Sequence, residues 1–353
     1  MTRRMSDPRT QPEISPDAYR DRVQDAYQDL AVCVTGGAGF IGGHLCDALV
    51  ALGARVTILD DLSNADARHV GTLIDRAPEH VRFIQGSILD PSALSEAMDG
   101  VSRVFHLAAL GSVPKSVEQP ERTWLVNATG TMRVLKAAQQ AGASRVIYSA
   151  SSSAYGNNPT LPKREDMAPE PESPYAAAKY AGESLCRSWA KCYGIDTICL
   201  RYFNIFGTRQ AADSAYAAVI PTFIKRWVHN ESPTIFGDGG QTRDFTHVSN
   251  AVLANLLGGA NDANLNGEVV NIGAGVRTSV SELASMIHAR MGIEGLNPEH
   301  APERIGEVRD SVADITRAKE LIGYEPITNL EDGLATTVDW YNQALRDERE
   351  GAA

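Results

Sequence analysis

A tyrosine and a lysine stand four positions apart in the segment YAAAK at 175–179. At this spacing the side chains of Tyr175 and Lys179 share one face of a helix. A free tyrosine ionises near pH ~10, which is too high for a general base at neutral pH. A neighbouring ammonium favours the phenolate and lowers this pKa. The pair therefore predicts a general base that removes the proton of a hydroxyl group.

A run of serines in SASSSAYG (149–156) precedes this pair. A hydroxyl from the run could bind the same substrate oxygen as the tyrosine and stabilise its developing charge. Ser151 is the first candidate and Ser152 the second. A Y-x-x-x-K pair by itself commonly means a surface lysine beside a half-buried tyrosine. The catalytic interpretation therefore depends on the motifs that accompany the pair.

A glycine-rich run, GGAGFIG at 36–42, follows a β-forming segment and opens a helical one. Glycines there permit a tight turn and a close backbone approach, and the helix N-terminus offers N–H groups to a pyrophosphate. Asp60 stands 24 residues after Gly36, at the end of the next predicted strand. Its carboxylate would accept hydrogen bonds from an adenine ribose and repel a 2′-phosphate, which favours NAD over NADP. The alternative is that Asp60 only caps the loop that follows.

The elements that must position these groups alternate between β-rich runs and longer amphipathic stretches, which indicates parallel β-α-β units. Predicted strands are 31–36, 55–60, 81–86, 103–108, 145–150, 197–202 and, later, 269–274. Predicted helices lie near 40–52, 91–99, 121–141 and 174–193. This pattern predicts an α/β fold with a Rossmann-type, doubly wound parallel sheet and a smaller, interleaved C-terminal substrate-binding domain.

The predicted domain organisation has four parts. Residues 1–29 form a tail and a short helix, 30–203 the dinucleotide-binding domain, 204–345 mainly the substrate-binding region, and 346–353 a second tail. The strand near 269–274 returns to the first domain.

The composition argues against several classes of binding partner. The 353 residues carry a formal net charge of −11, which argues against nucleic acid or an anionic membrane as a partner. No uninterrupted apolar run approaches the length of a membrane span, and we expect no targeting segment at the start. The five cysteines lack C-x-x-C spacing. We therefore expect a protein of the reducing cytoplasm without a metal site.

The motifs TGGAGFIG, HLAAL, SSSAYG, YAAAK and LRYFN resemble the extended short-chain dehydrogenase/reductase superfamily over about residues 30–345. The nearest branch is the UDP-hexose 4-epimerases. ALGSVPKS (109–116), GTRQAADSAYAAVIP (207–221) and GDGGQTRDFTHV (237–248) are similar to UDP-N-acetylglucosamine 4-epimerases, including those that accept the uronic acid. The resemblance implies NAD as cofactor, a UDP-sugar as substrate, inversion at C4 through a 4-keto sugar, and a homodimer formed by the helices near 121–141 and 174–193.

The resemblance also assigns site residues. Those implied to hold the cofactor are Gly36, Gly39, Phe40, Ile41, Gly42, Asp60, Asn64, Ser87, Ile88, Leu107, Ala108, Ala109, Asn127, Tyr175, Lys179 and Tyr202. Ser87 departs from the family, which usually has Asp against the adenine amine. Those implied to hold the substrate are Gly111, Ser112, Ser151, Ser152, Asn204, Val219, Arg243, Arg304, Glu307 and Ser311.

Ser311 matches a position where simple UDP-galactose epimerases carry a bulky Tyr, so its small side chain leaves room for a 2-acetamido group. Dehydratases and decarboxylases of this fold need a carboxylic acid just before Tyr-Gly, where this chain has Ser153-Ala154. UDP-glucuronate 4-epimerases tend to have Thr in place of Asn204 and remain an alternative. A non-enzymatic NAD-binding regulator is the alternative of another class, although such proteins usually lose the Tyr or the Lys.

Overall fold

The computed structural model describes residues 17–211, 218–303 and 308–351. Its centre is a seven-stranded parallel sheet in the order β3-β2-β1-β4-β5-β6-β11. The remaining strands form short two-stranded sheets beyond its carboxyl edge. In chain order the strands are β1 (Ala31–Thr35), β2 (Arg55–Asp60), β3 (Val81–Gln85), β4 (Arg103–His106), β5 (Arg145–Ser151), β6 (Asp196–Tyr202), β7 (Ile205–Phe206), β8 (Thr234–Phe236), β9 (Thr242–Arg243), β10 (Thr246–His247), β11 (Glu268–Ile272), β12 (Thr278–Ser279) and β13 (Glu299–Ala301).

The strand order reverses between β1 and β4. From β1 the chain runs outward through β2 and β3, then returns to add β4, β5 and β6 on the other side. In such sheets, ligands bind in the crevice at the carboxyl ends of the strands where the direction of winding changes. The prediction of a Rossmann-type sheet is confirmed, and the crevice lies where the glycine run leaves β1.

The helices cover both faces of the sheet, so its central strands β1, β4 and β5 are buried along nearly their whole length. In chain order the α-helices are α1 (Asp17–Val23), α2 (Phe40–Ala51), α3 (Ala67–Arg76), α4 (Pro91–Ala97), α5 (Val113–Glu118), α6 (Pro120–Trp124), α7 (Thr131–Gln140), α8 (Pro174–Tyr193), α9 (Val219–Val228), α10 (Val248–Ala260), α11 (Val280–Met291), α12 (Thr316–Ile322) and α13 (Leu330–Gly351).

Three apolar clusters make up most of the core. One joins α2, α10 and α12 to one face of the sheet, and a second joins α4, α7 and α8 to the other face. A third lies between α9, α11 and α13, away from the sheet. The region after residue 203 therefore contributes both to the sheet domain, through α10, β11 and α12, and to a separate cluster. The domain boundaries themselves stay a prediction.

One feature differs from the sequence expectations. The helix expected over 121–141 is α6 and α7 joined by a π-helical turn, Leu125–Gly130. Cys192 is exposed near the end of α8, while the other four cysteines are buried. None of the helices that the structure describes is long and apolar enough to cross a bilayer.

Candidate active site

The helix that carries Tyr175 and Lys179 begins at Pro174 and is the next α-helix after β5 in the chain. Ser173 caps it by accepting a hydrogen bond from the backbone N–H of Ala176 at 3.1 Å. Proline at the first helical position needs no partner for its nitrogen. These local signals place Tyr175 in the first turn and Lys179 one turn further on, against the carboxyl end of β5.

Lys179 is buried and its ammonium is directed at β5. Its Nζ atom donates to the carbonyl oxygen of Ser149 at 2.7 Å and lies 5.1 Å from the ring centroid of Tyr148. Burial lowers the Lys179 pKa to about 8, an effect opposed by the carboxylate of Glu183. Glu183 in turn forms a buried ion pair with Arg201 on β6. The Lys179 ammonium is thus stabilised by the Ser149 carbonyl on β5 and by the nearby carboxylate of Glu183.

The Ser151 side chain is near enough to Tyr175 to influence its pKa. Burial raises the Tyr175 pKa and the Ser151 hydroxyl lowers it, with burial the larger effect. Ser151 accepts bonds from the backbone N–H and the hydroxyl of Ser153, at 3.2 and 2.9 Å. Its own hydrogen is therefore left for the phenol oxygen. The expected lowering of the Tyr175 pKa by Lys179 is not found in this arrangement, because the ammonium points to Ser149 instead.

Ser152 begins the short 3-10 turn Ser152–Tyr155 that follows β5. The structure therefore brings Ser151 to Tyr175 and gives Ser152 no comparable bond. Ser149 was absent from the predicted site although it belongs to the same serine run. Its carbonyl binds Lys179, and its hydroxyl donates to Tyr202 at 3.1 Å.

The glycine run forms a turn that leaves no space for side chains. Gly36 has a φ of +75°, and a Cβ there would lie 2.6 Å from the backbone nitrogen of Ala108. A Cβ on Gly42 would lie 2.1 Å from the carbonyl oxygen of Gly36. Gly39 caps α2 without a side-chain hydrogen bond, so the first N–H groups of that helix face the crevice end of β1. Such a cradle fits the pyrophosphate of a dinucleotide.

Asp60, at the end of β2, is tied to this turn. Its carboxylate accepts the backbone N–H of Ala38 at 3.0 Å and that of Leu62 at 2.9 Å. Burial raises the Asp60 pKa, and these N–H groups oppose the effect. Each carboxylate oxygen has a second lone-pair site. Asp60 therefore both fixes the turn, as the alternative interpretation held, and keeps acceptor capacity for ribose hydroxyls.

The loop after β4 is held by Asn127 on the π-helical turn. The Asn127 side chain accepts from the N–H of Leu110 at 2.8 Å and donates to the Leu110 carbonyl at 3.2 Å. Thr131 donates to the Asn127 carbonyl at 2.6 Å and so accepts from His106, 3.0 Å away. His106 is neutral, because burial and Lys179 lower its pKa to about 3. The turn thus fixes the segment that contains Leu107, Ala108 and Ala109.

Other predicted cofactor residues lie around the same crevice. Ile88 packs on Gly130, where a Cβ would come within 2.6 Å of it. Ser87 caps the turn before α4 by accepting the N–H of Leu89 at 3.2 Å. Phe40 and Ile41 begin α2, and Asn64 is exposed in the loop between β2 and α3. Tyr202 accepts from Ser149 and, at 2.6 Å, from Asn255.

Three predicted substrate residues meet at β9 and β10. The Asn204 amide donates to the carbonyl of Asp244 at 3.4 Å, and the Asn204 carbonyl accepts the N–H of Thr246. Arg243 donates to the carbonyl of Arg309 at 3.0 Å. The N–H of Ser311 donates to the carbonyl of Thr242 at 3.1 Å, and Ser311 is buried. Asn204, Arg243 and Ser311 are therefore parts of one rigid hydrogen-bonded unit.

The remaining predicted substrate residues are more scattered. Gly111 is exposed, and Ser112 caps α5 by accepting the N–H of Lys115. Val219 is the first residue of α9. Arg304 and Glu307 lie outside the described residues. Within the described ranges, no three His, Cys, Asp or Glu residues are grouped so that they could hold a metal ion.

Comparison with known proteins assigns this site to a family. Residues 32–273 match the NAD dependent epimerase/dehydratase family. The chain belongs to that family. NAD is therefore its cofactor, as the sequence predicted, and the resemblance to extended short-chain dehydrogenases/reductases is confirmed. The glycine turn, Asp60 and the Tyr175–Lys179 helix are the parts of this epimerase/dehydratase fold that meet at the crevice.

Relatives within the epimerase/dehydratase family cover nearly the whole chain. A UDP-glucose 4-epimerase of Mycolicibacterium smegmatis is 37% identical over 88% of this chain and 98% of its own length. A UDP-N-acetyl-alpha-D-glucosaminuronate decarboxylase of Bacillus cytotoxicus is 35% identical over 89% of this chain and 98% of its own.

Among solved structures, the UDP-N-acetylglucosamine 4-epimerase from Methanobrevibacter ruminantium in complex with UDP-N-acetylmuramic acid superposes with a TM-score of 0.84. It is 37% identical and covers 90% of this chain and 99% of its own. The chain is thus an enzyme of the NAD-dependent epimerase/dehydratase type.

Proposed function

We propose that this protein is a UDP-sugar 4-epimerase that interconverts UDP-GlcNAc and UDP-GalNAc and also has room for UDP-glucose and UDP-galactose. The observation that carries the proposal is the contact between Tyr175 and Ser151 at the end of β5, beside the buried Lys179. These groups would serve as an acid/base site, and they lie at the same edge of the sheet as the glycine turn that would bind NAD. The named activities of the 4-epimerase relatives support the same reaction.

The residues that would hold NAD fit its shape and charge. The pyrophosphate would lie on the N–H groups of Phe40 to Gly42, in the first turn of α2, and the adenine ribose on Asp60. The adenine would lie near Ile88, and the nicotinamide ribose near Tyr175 and Lys179. When bound, NAD supplies the acceptor and donor of the hydride at the sugar C4.

The protein's own groups handle the proton. Tyr175 would take the proton of the 4-hydroxyl and later return it, and Ser151 would hydrogen-bond to the same sugar oxygen. Because the Lys179 ammonium donates to the Ser149 carbonyl, its positive charge would keep a fixed position near Tyr175 and Ser151 during both steps. A sugar that must turn over between the two steps needs a pocket that holds the UDP part firmly and the sugar loosely.

Residues of the predicted substrate-binding region would account for this difference between firm binding of UDP and loose binding of the sugar. Arg243 would bind the diphosphate with its planar pair of donors, and Asn204 would bind beside it. Ser311 forms part of the sugar wall, where its small side chain leaves space for a 2-acetamido group. The rigid unit that joins these residues would anchor UDP without gripping the hexose ring.

Two other chemistries of the family are less well supported. A decarboxylase or dehydratase needs an additional carboxylic acid close to Tyr155, but Ser153 and Ala154 precede it. A UDP-glucuronate 4-epimerase would need a binding group for the sugar carboxylate, and Asn204 departs from its usual Thr. Either activity would show itself as a failure to convert UDP-GlcNAc and UDP-glucose.

We further propose a homodimer. Large apolar side chains are exposed on mutually packed helices α5 to α8 and the turn between them: Val113, Val117, Trp124, Leu125, Met132 and Tyr193. A soluble monomer rarely leaves such a group uncovered, and a second copy of the same face would bury it. Light scattering should give twice the chain mass for the wild type and a monomer for Trp124→Lys. A monomeric wild type would contradict the proposal.

The activity is tested by incubating the purified protein with UDP-GlcNAc or UDP-glucose, without added cofactor, and following the C4 configuration by proton NMR. We expect formation of UDP-GalNAc from UDP-GlcNAc, its loss in Tyr175→Phe, and its retention in Tyr180→Phe on the same helix. Conversion of UDP-glucose alone would contradict the role of Ser311. Conversion of neither sugar, even with added NAD, would favour the uronic-acid epimerase or a non-enzymatic regulator.

A further inference from the structure

The carboxylate of Asp244 is completely buried and fully occupied by hydrogen bonds. Oδ1 accepts the N–H of Ala274 at 2.8 Å and the hydroxyl of Thr246 at 3.0 Å. Oδ2 accepts the N–H of Gly275 at 2.9 Å and that of Ala313 at 3.1 Å. An ionised carboxylate offers about four lone-pair sites, so the carboxylate is saturated by the protein itself.

These bonds join three segments that are distant in sequence. Thr246 is on β10, Ala274 and Gly275 follow β11, and Ala313 lies just beyond Ser311. The fit is close, because a Cβ on Gly273 would lie 2.6 Å from Asp244 Oδ2. Asp244 therefore ties the strand that follows Arg243 to the end of the central sheet and to the segment of Ser311.

The Ser311 segment is held on its other side by Lys163. The N–H of Lys163 donates to the carbonyl of Val312 at 2.8 Å, and the Lys163 carbonyl accepts the N–H of Asp314 at 2.9 Å. The N–H of Ala313 takes no part in this pairing and is directed at Asp244. The bond from Ala313 to the buried Asp244 carboxylate thus adds to the bonds that Ser311 and Arg309 make with Thr242 and Arg243, and it fixes the inner end of this segment against the segment that carries Arg243.

We propose that Asp244 is a positioning residue for sugar selectivity: it fixes the wall at Ser311 relative to Asn204 and Arg243, a role that rests on the proposed epimerase function. The Asn204 side chain donates to the Asp244 carbonyl, and Arg243 directly precedes Asp244 in the chain. Ser311 is two residues from Ala313. The carboxylate therefore sets the distance between the UDP-binding groups and the sugar wall, which determines the size of the C2 substituent that fits.

The direct variant is Asp244→Asn, which keeps the shape but presents an NH₂ group to two of the four donors. A buried N–H group that loses its acceptor destabilises the fold, so the segment that carries Ser311 should shift or become less ordered. Ala313→Pro is the second variant, because it removes the N–H that links the wall to Asp244 and puts a ring carbon in its place. It keeps the test informative if Asp244→Asn does not fold.

Two matched controls separate this role from general stability. Thr246→Val removes one bond to the same carboxylate without releasing the Ser311 segment. Asp196→Asn alters a carboxylate at the amino end of β6 that accepts the backbone N–H groups of Leu265 and Asn266, at 2.9 and 2.7 Å, and also pairs with Arg145.

The measurement is kcat and KM for UDP-GlcNAc and for UDP-glucose in all five proteins, with urea unfolding of each. We expect the ratio of the two kcat/KM values to fall about tenfold in Asp244→Asn and Ala313→Pro, mainly through KM, and to change less than about twofold in the controls. If the wild type is active and both variants keep its ratio of kcat/KM values, the role of Asp244 is refuted while the proposed epimerase function stands. A wild type that converts neither sugar overturns the proposed function and this role with it.

Discussion

The Nζ atom of Lys179 lies 2.7 Å from the carbonyl oxygen of Ser149, which is two residues before the serine that contacts Tyr175. One strand end therefore positions both Lys179 and the Ser151 hydroxyl, the two groups that we propose to act with Tyr175.

The burial of Lys179 should make stability depend on pH. Its pKa is about 8 in the fold and near 10.5 when unfolded. Between these values the unfolded chain binds one more proton, so the free energy of unfolding rises with pH by up to ~1.4 kcal/mol per pH unit. Urea unfolding from pH 8 to 10 should show this rise relative to Lys179→Met. Lys191→Met, at the exposed end of α8, is the control, and parallel curves for wild type and Lys179→Met would refute the prediction.

Ser151→Ala should lower kcat by about 10²-fold with little change in KM, because the hydroxyl stabilises charge that develops on the sugar oxygen. It should also move the acidic limb of the pH–rate profile to higher pH, since the bond from Ser151 lowers the Tyr175 pKa. Ser153→Ala should lose less, because the Ser153 hydroxyl donates to Ser151 and not to Tyr175. Equal losses in the two variants would argue against a direct role of Ser151.

Gly42→Ala should abolish tight NAD binding, because the added Cβ would collide with the carbonyl of Gly36 at 2.1 Å. The collision is with backbone and can be relieved only by moving the turn. Gly71→Ala on α3 has open space and should be neutral or stabilise by up to about 1 kcal/mol. NAD released from each denatured protein and measured by chromatography tests this, and normal NAD content in Gly42→Ala would disprove it.

Ser311→Tyr should suppress UDP-GlcNAc conversion and spare UDP-glucose conversion, because a bulky ring would occupy the space assigned to the acetamido group. Initial rates with each sugar give the comparison. Ser285→Tyr, on the exposed side of α11, controls for the added tyrosine. An equal loss with both sugars would mean that residue 311 supports the fold and not the selectivity.

The sequence by itself predicted the sheet and the chemical groups. Each strand of the sheet is a short apolar run, the glycine turn and Asp60 have a fixed spacing, and Tyr175 and Lys179 share a helix face. These are local patterns, or patterns set by the strand–helix alternation, so they can be read without knowing which residues meet. The crevice beside β1 followed from the same alternation.

The tertiary structure decided which partners these groups have. The bonds from Lys179 to Ser149, from Leu110 to Asn127 and from Ala313 to Asp244 join residues 17 to 69 positions apart. No local pattern specifies such bonds, because they depend on how strands and helices pack. The π-helical turn was likewise hidden, since its composition is that of an ordinary helix. The sequence therefore named the reacting groups, and packing fixed their directions, because buried polar atoms must find partners wherever the fold brings them.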